Sequence, residues 1–182
     1  SAPVGRRYGP HGGAAPLRVP AATLLRYLQT ATASHSLHLP AALASSAGGV
    51  DTVSLVNGTL AHSLDFDDTH LNSIIHATAA SLPCALTFGE ARGIDGRALL
   101  VAYACGMETA IRVGAAVKGG FHHAGFHATG LVSHFSSAVV AARILGLSAD
   151  GIVAAQGIVA STASGVQVFL EEGAWTKRMH PG

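Results

Sequence analysis

Apolar residues recur at helical spacing along most of this chain, and polar residues gather at the breaks between the apolar segments. Asp51 is suited to cap a helix, and the residues Val53, Val56, Leu60 and Leu64 then repeat at i, i+3, i+7 and i+11. The same periodicity predicts four further helices, at about 74–92, 97–117, 130–145 and 149–163. The only strand-like run, at residues 166–170, is short. The pattern therefore predicts an all-α helical bundle.

Capping residues and composition suggest where the predicted elements begin and end. Ser148 is suited to cap the start of the last helix, and Gly146 is suited to end the helix before it. Residues 1–19 are rich in Gly, Pro and Arg and show no periodicity, which is typical of a disordered arm or linker. The expected organisation is this arm followed by one helical domain over residues 20–182.

Composition and charge narrow the class of protein. The net charge of +1 argues against a dedicated nucleic-acid binder, and no secretory signal is visible at the start. Residues 98–117 are very apolar, but Glu108 and Arg112 at i, i+4 favour a buried core helix with an internal ion pair over a membrane span. Cys84 and Cys105 lie in apolar runs and are expected to be buried and reduced. We therefore expect a cytoplasmic protein that binds neither nucleic acid nor membrane.

The first polar break reads HSLDFDDTHLNSIIH and concentrates carboxylates and imidazoles in an otherwise apolar chain. If the preceding helix continues, Asp65, Asp68 and Thr69 share one face, while Asp67 points elsewhere, to solvent. His76 would open the next helix, where the helix dipole favours a neutral imidazole that can accept a proton. Carboxylates and imidazoles in apolar surroundings suit acid–base chemistry.

Two later breaks read GGFHHAGFHATG and EEGAWTKRMHPG. His123 and His127 have an i, i+4 spacing that zinc proteins use, but the glycines disfavour a regular helix and no HExxH motif is present. No metal is therefore expected, and His127 is predicted at the mouth of a pocket. Lys177 is predicted to bind a substrate carboxylate as a point charge, with a solvated basic loop as the alternative.

Together these segments resemble the MmgE/PrpD family, which includes 2-methylcitrate dehydratase, cis-aconitate decarboxylase and iminodisuccinate epimerase. The resemblance covers about residues 51–182 and rests on five ordered features: VNGTLAHSLDFDDTH, the histidine that follows it, GFHATG, AARILGLSAD and EGAWTKRMHPG. It implies a catalytic set of Asp65, His76, His127 and Lys177. It implies that Thr69 contacts the substrate, and His180, in its protonated form, is assigned to substrate binding as a second cation beside Lys177.

The resemblance also implies an activity. Such a protein would be a lyase, a dehydratase or decarboxylase, acting on a small di- or tricarboxylate such as 2-methylcitrate or cis-aconitate. It would need no metal or organic cofactor and would form a homodimer. Family members pair a large helical domain with a smaller α+β lid and continue beyond the HPG at which this sequence stops. We therefore expect the helical-domain portion without the lid, and little turnover from these residues alone.

Other interpretations stay open at this point. The chain could be an epimerase of the same family, or a truncated, non-catalytic helical subunit that mainly dimerises. The DFDD sequence also fits the acid motif of class II terpene cyclases, but their pockets are lined with aromatic side chains, which make up only 5% of this chain. The sequence does not separate dehydration from decarboxylation or epimerisation.

Overall fold

The fold consists of helices packed around one central helix. The computed structural model describes residues 50–182, so the predicted arm and the start of the predicted domain lie outside the described residues. The described helices are α1 (Val50–Ala61), α2 (Thr78–Arg92), α3 (Gly96–Val117), α4 (Gly120–His123), α5 (Ala128–Ile144), α6 (Ala149–Thr162), α7 (Phe169–Glu172) and α8 (Thr176–Met179). Within this part of the chain no strand forms, and extended pairing is limited to two isolated bridges. The all-α prediction is confirmed.

Local capping explains where several helices start and stop. The Asp95 carboxylate accepts the Ala98 backbone N–H at 2.8 Å at the start of α3. The Ser148 hydroxyl accepts the Gly151 backbone N–H at 3.2 Å at the start of α6, as the sequence predicts. Gly146 follows α5 with a φ of 71°, a left-handed conformation that glycine adopts at little cost and that ends the helix.

Helix α5 lies at the centre and contacts α2, α3 and α6. Small residues let these helices approach closely: a Cβ on Gly106 of α3 would lie only 2.5 Å from Val140 Cγ2 of α5. One buried cluster under the polar breaks contains Ile75, Ala77, Ala110, Ala128 and Val132. Burying a side chain such as Ile75 stabilises the fold by about 1.5–3 kcal/mol. The Ala-rich composition therefore specifies close helix packing, which fixes the backbone around the polar residues.

Helix α3 is less buried than the sequence predicts. It buries a stripe of small residues, namely Ala102, Gly106, Ala110 and Gly114. Leu100 is 62% exposed, and by length and composition alone α3 is apolar enough to cross a membrane. The predicted ion pair forms, with Arg112 Nε donating to Glu108 Oε1 at 2.6 Å, but both side chains are exposed. The expectation of an internal pair is wrong, because the pair lies outside the narrow Ala/Gly stripe that packs. At the surface such a pair contributes only about 0.3–0.5 kcal/mol.

The two cysteines are free thiols. Cys84 is buried beside α5, and burial raises the pKa of its thiol to about 12. Cys105 on α3 is only half-buried, so the expected full burial holds for one of the two. A thiol with a raised pKa carries little thiolate at neutral pH, and Cys84 is therefore a core residue and not a nucleophile.

Candidate active site

The first polar break is a compact turn and not an extension of α1. Helix α1 ends at Ala61, and Asp65 has a φ of 60°, in the left-handed region that interrupts an α-helix. The turn closes where the His70 backbone N–H donates to the Ile75 carbonyl at 2.9 Å. The prediction that Asp65, Asp68 and Thr69 share one helical face is therefore wrong. Aspartate tolerates this conformation better than most residues, which explains how the chain turns there.

The turn brings Asp67 inward, so the expectation of a solvated Asp67 is wrong. Its side chain is only 8% exposed, and the His62 Nδ1–H donates to Asp67 Oδ2 at 2.7 Å. His62 itself is buried and is not among the residues that the sequence assigned to the site. One signal was present: His62 continues the i, i+3 row of the buried residues Val53, Val56 and Thr59 on α1. A histidine in a buried row needs a polar partner, and Asp67 is that partner.

His76 lies between two carboxylates. Its Nδ1 is 3.4 Å from Asp67 Oδ1, and its Nε2 is 3.6 Å from Asp65 Oδ1. Its backbone N–H donates to Thr129 Oγ1 of α5 at 3.1 Å, which ties the turn to the central helix. Helix α2 begins only at Thr78, so His76 precedes the helix and does not open it as predicted.

Lys177 joins the third polar break to the first. Its Nζ lies 2.6 Å from both carboxylate oxygens of Asp65. The hydrogen bond and charge of Lys177 hold the pKa of the Asp65 carboxyl below its usual value. The Asp65 side chain is 53% exposed and that of Lys177 is 26% exposed, so this end of the group faces solvent.

His127 and His180 form the inner end of the group. His127 directly precedes α5, is buried, and places its Nδ1 3.0 Å from His180 Nδ1. Its ring stacks on His62 at 5.7 Å and meets Phe169 edge-on at 5.1 Å. Burial, with smaller electrostatic effects from the neighbouring imidazoles His180 and His62 and from Lys177, lowers the pKa of His127 to about 3. Two neutral rings can share one proton between these nitrogens, one donating and the other accepting.

Burial also lowers the pKa of His180. Its imidazole therefore favours the neutral form, which argues against the cationic His180 that the sequence suggested. Lys177 is the cation that contacts the group, at Asp65, whereas neighbouring Arg178 stacks over the Trp175 ring at 4.1 Å. A substrate carboxylate would accordingly find its cation at Lys177.

The structure does not bring every predicted residue into the group. Thr69 is exposed, and its hydroxyl makes no hydrogen bond to another residue within 50–182. Asp68 instead accepts the Thr78 backbone N–H at 3.0 Å, at the start of α2. His123 is exposed whereas His127 is buried, so the two histidines spaced i, i+4 lie in different environments, in line with the expectation that they do not act as a pair.

The group could in principle hold a cation. His62, Asp65, Asp67 and His76 each offer a ligand atom, and these atoms lie within 4.8 Å of one another. The Lys177 ammonium already contacts one of these carboxylates and supplies positive charge there. Arranged in order, the side chains form a row of alternating bases and carboxylates, which suits proton transfer.

A separate cavity of about 600 Å³ opens between α1, α2, α5 and the end of the chain. It is lined mainly by apolar and hydroxyl side chains such as Phe88, Ser133 and Ser137. Among the described residues, His180 is the only member of the polar group that borders it. The chemistry-bearing residues therefore open toward solvent at Asp65 and not into this cavity.

Comparison with known proteins adds two findings. Residues 14–182 match the model of a protein family described as the MmgE/PrpD N-terminal domain. The chain is also similar to a cis-aconitate decarboxylase-like protein of Aspergillus oryzae, at 27% identity over 140 residues. That match covers 72% of this chain but only 29% of the relative's length, so the activity of the relative belongs to a much longer chain.

Proposed function

Because this chain belongs to the MmgE/PrpD family, we propose that it forms part of a lyase that dehydrates or decarboxylates a small di- or tricarboxylate. One observation carries the proposal: His76 lies within 3.6 Å of Asp65, and Lys177 binds the same carboxylate at 2.6 Å. A base and a fixed cation thus stand on either side of one exposed position. A substrate carboxylate that displaces Asp65 from Lys177 would present its neighbouring carbon to the imidazole.

Each side chain then has a role in the proposal. Lys177 binds the substrate carboxylate and stabilises the negative charge that develops on it as an adjacent carbon–hydrogen or carbon–carboxylate bond breaks. In a dehydration His76 takes the proton from carbon, and the hydroxyl on the adjacent carbon takes a proton from solvent at this exposed end and leaves as water. In a decarboxylation the carbon–carboxylate bond breaks to release carbon dioxide, and His76, protonated from solvent, gives its proton to the carbon. Asp65, which faces His76 Nε2, stabilises by its negative charge the imidazolium that forms when His76 is protonated. Proton transfer by a placed side chain contributes roughly 10²–10⁴-fold in rate.

His127 and His180 complete the inner wall. Their low pKa values keep both rings neutral near pH 7, so either can accept or donate a hydrogen bond to a hydroxyl or carboxylate of the substrate. Thr69 is exposed and lies outside this group, so the substrate contact proposed for it rests on the family resemblance. These contacts need no metal and no organic cofactor.

A second candidate is a helical subunit that mainly dimerises. It is favoured by α6, which buries none of its residues among those described and exposes Val153 and Ile158 by 70% and 67%. Such an apolar face is expected to be covered by further protein, and a homodimer would cover it. This arrangement is compatible with catalysis, so the two candidates are separated by activity and not by oligomeric state.

The test uses the complete gene product that contains these residues. Turnover is measured on cis-aconitate, 2-methylcitrate and iminodisuccinate, with crotonate as a monocarboxylate control, each with and without a chelator. We expect turnover of cis-aconitate or 2-methylcitrate, no turnover of crotonate, and no effect of the chelator; turnover of iminodisuccinate alone would make the protein an epimerase and not a lyase. Turnover of none of the polycarboxylates by a folded, dimeric protein would overturn the proposal in favour of the non-catalytic subunit.

A further inference from the structure

Asp67 links two histidines that the proposed reaction does not otherwise connect. Its Oδ2 accepts the His62 Nδ1–H at 2.7 Å, and its Oδ1 lies 3.4 Å from His76 Nδ1. Within the described residues, neither Asp67 Oδ1 nor His76 Nδ1 has another hydrogen-bond partner. Resting on the proposed function, we propose that the His62–Asp67 pair is a positioning device that fixes the tautomer of His76 and stabilises its imidazolium form.

The burial of the three side chains supports this assignment. The His62 side chain is fully buried, and those of Asp67 and His76 are 8% and 18% exposed. A buried carboxylate is costly unless it is hydrogen-bonded, and His62 satisfies only one of its two oxygens. The other oxygen is aimed at His76, so the cost is offset when His76 Nδ1 donates to it.

The 3.4 Å separation is longer than a good hydrogen bond, but such contacts commonly tighten when substrate binds. The backbone of His76 is tied to Thr129, so the contact would close by movement of the His76 ring and not of the backbone. His62, on the far side, keeps Asp67 from turning away. Asp67 is therefore held in place by His62, with its free oxygen oriented toward His76 Nδ1.

The tautomer follows from this arrangement. When His76 Nδ1 carries the hydrogen that points at Asp67, Nε2 is the nitrogen free to take a proton. Nε2 is also the nitrogen that faces Asp65, at 3.6 Å, and hence the exposed side with Lys177. The base is thereby aimed at the substrate position, and the Asp67 charge supports the imidazolium that forms, as the carboxylate does in Ser–His–Asp triads.

Asp67→Asn tests this directly, with Asp68→Asn as the matched control. The amide introduced by Asp67→Asn keeps an oxygen for His62 but offers an N–H to His76, which disfavours hydrogen on His76 Nδ1. We expect kcat on the active polycarboxylate to fall roughly 10²- to 10⁴-fold in Asp67→Asn. Asp68→Asn keeps its acceptor for the Thr78 N–H, and its kcat is expected to stay within about threefold of wild type.

Two further readouts separate positioning from a structural role. Asp65, Asp67, His62 and Lys177 are the titratable groups that face His76, so removing the Asp67 charge should move the acidic limb of the kcat/KM profile to lower pH.

Nitrogen-15 NMR of the histidine rings, with the His76 signals assigned by their loss in His76→Gln, should show hydrogen on Nδ1 in wild type. In Asp67→Asn the hydrogen should move to Nε2.

The outcomes are distinguishable. If wild type shows the Nδ1–H tautomer but turns over no polycarboxylate, the proposed function fails while the positioning role stands. If Asp67→Asn matches Asp68→Asn in kcat, pH profile and tautomer, the positioning role is overturned while the proposed function stands. Should Asp67→Asn fail to fold, His62→Gln and His62→Leu replace it. His62→Gln keeps a hydrogen-bond donor for Asp67, so His76 should keep its hydrogen on Nδ1. His62→Leu removes that donor, so His76 should lose the Nδ1–H tautomer. Equal tautomers in those two variants would overturn the inference.

Discussion

Lys177 and Asp65, 112 residues apart in sequence, are joined by an ammonium nitrogen that lies 2.6 Å from both carboxylate oxygens. The contact ties the short helix α8 to the turn after α1. It also places a lysine cation beside His76, whose ring is 3.6 Å from the same carboxylate. The exposed end of the polar group is thus defined by one ion pair between two distant breaks in the helical pattern.

Replacing Lys177 by Ala should impair turnover of the polycarboxylate without unfolding the protein. Losing one charge-assisted contact to a substrate carboxylate costs about 1.5–3 kcal/mol, or roughly tenfold to a hundredfold in kcat/KM. Steady-state kinetics of the complete gene product measure this loss. Arg178→Ala removes the neighbouring cation, which stacks on Trp175, and should change kcat/KM much less. Equal kinetics for Lys177→Ala and wild type would make Lys177 a surface loop residue.

Asp65→Asn separates the catalytic value of this ion pair from its structural value. Asp65 is half exposed, and exposed pairs typically contribute about 0–1 kcal/mol, so the free energy of unfolding should change by no more than that. The fall in kcat, expressed as a free energy of activation, should exceed this change in stability, because His76 loses one of its two carboxylates. Urea unfolding and kinetics on the same preparation check both halves. A loss of stability that matches the loss of activity would show that Asp65 acts through the fold alone.

The helices and their caps could be predicted from the sequence because they depend on local features. The apolar spacing predicted α3, α5 and α6, and Ser148 and Gly146 marked two of their ends. The turn after α1 could not be predicted in the same way. It depends on the left-handed backbone at Asp65, which a periodicity argument does not contain.

That one backbone conformation decides which side chains enter the polar group. It directs Asp67 inward, onto His62, and leaves Thr69 exposed. Asp65, His76, His127 and Lys177 were all selected from the sequence, through their motifs, and the structure places them in one contiguous group that includes His62. Their catalytic roles stay predictions. Helical spacing could have marked His62 as buried, but its pairing with Asp67 is seen only in the tertiary structure.

The buried histidines should make folding stability depend on pH. The pKa of His127 is 6.5 in the unfolded chain and about 3 when folded, so between these values the unfolded state binds one more proton. Stability is therefore fully present above pH 6.5 and declines as pH falls toward 3, by about 1.4 kcal/mol per pH unit for such a group. The lowered pKa values of His62 and His180 act in the same direction.

Urea unfolding of the 182-residue polypeptide at several pH values between 7.5 and about 4 measures this dependence. His127→Gln should flatten the slope, whereas the same substitution at exposed His123 should leave it as in wild type. A slope that His127→Gln does not change would contradict the burial of a neutral imidazole at this position.

Two helical glycines should respond oppositely to substitution by alanine, because Gly106 on α3 lies against α5 whereas Gly157 on α6 faces open space among the described residues. Gly106→Ala should destabilise the fold by about 1–3 kcal/mol, because the new methyl group overlaps Val140 Cγ2. Gly157→Ala on α6 should stabilise it by about 0.4–1 kcal/mol, because no described atom outside its own helix lies within 4 Å of the new Cβ. Chemical denaturation of both variants checks the pair. Equal changes would show that α3 and α5 do not pack as described.

The most direct test of the account is hydrogen exchange at carbon. Dehydration, decarboxylation and epimerisation of a polycarboxylate all move a proton to or from a carbon beside a carboxylate, and His76 is proposed to move it. The complete gene product is incubated in deuterium oxide with cis-aconitate, 2-methylcitrate or iminodisuccinate, and deuterium at carbon is followed by NMR. With wild type we predict deuterium at carbon in the product of a decarboxylation or in an epimerised acid. Dehydration removes a hydrogen from carbon and adds none, so for it we predict release of deuterium to water from 2-methylcitrate deuterated at carbon. The rate should be lower by roughly 10²–10⁴-fold in His76→Gln. The absence of all these transfers, or the same rate in His76→Gln as in wild type, would contradict the account.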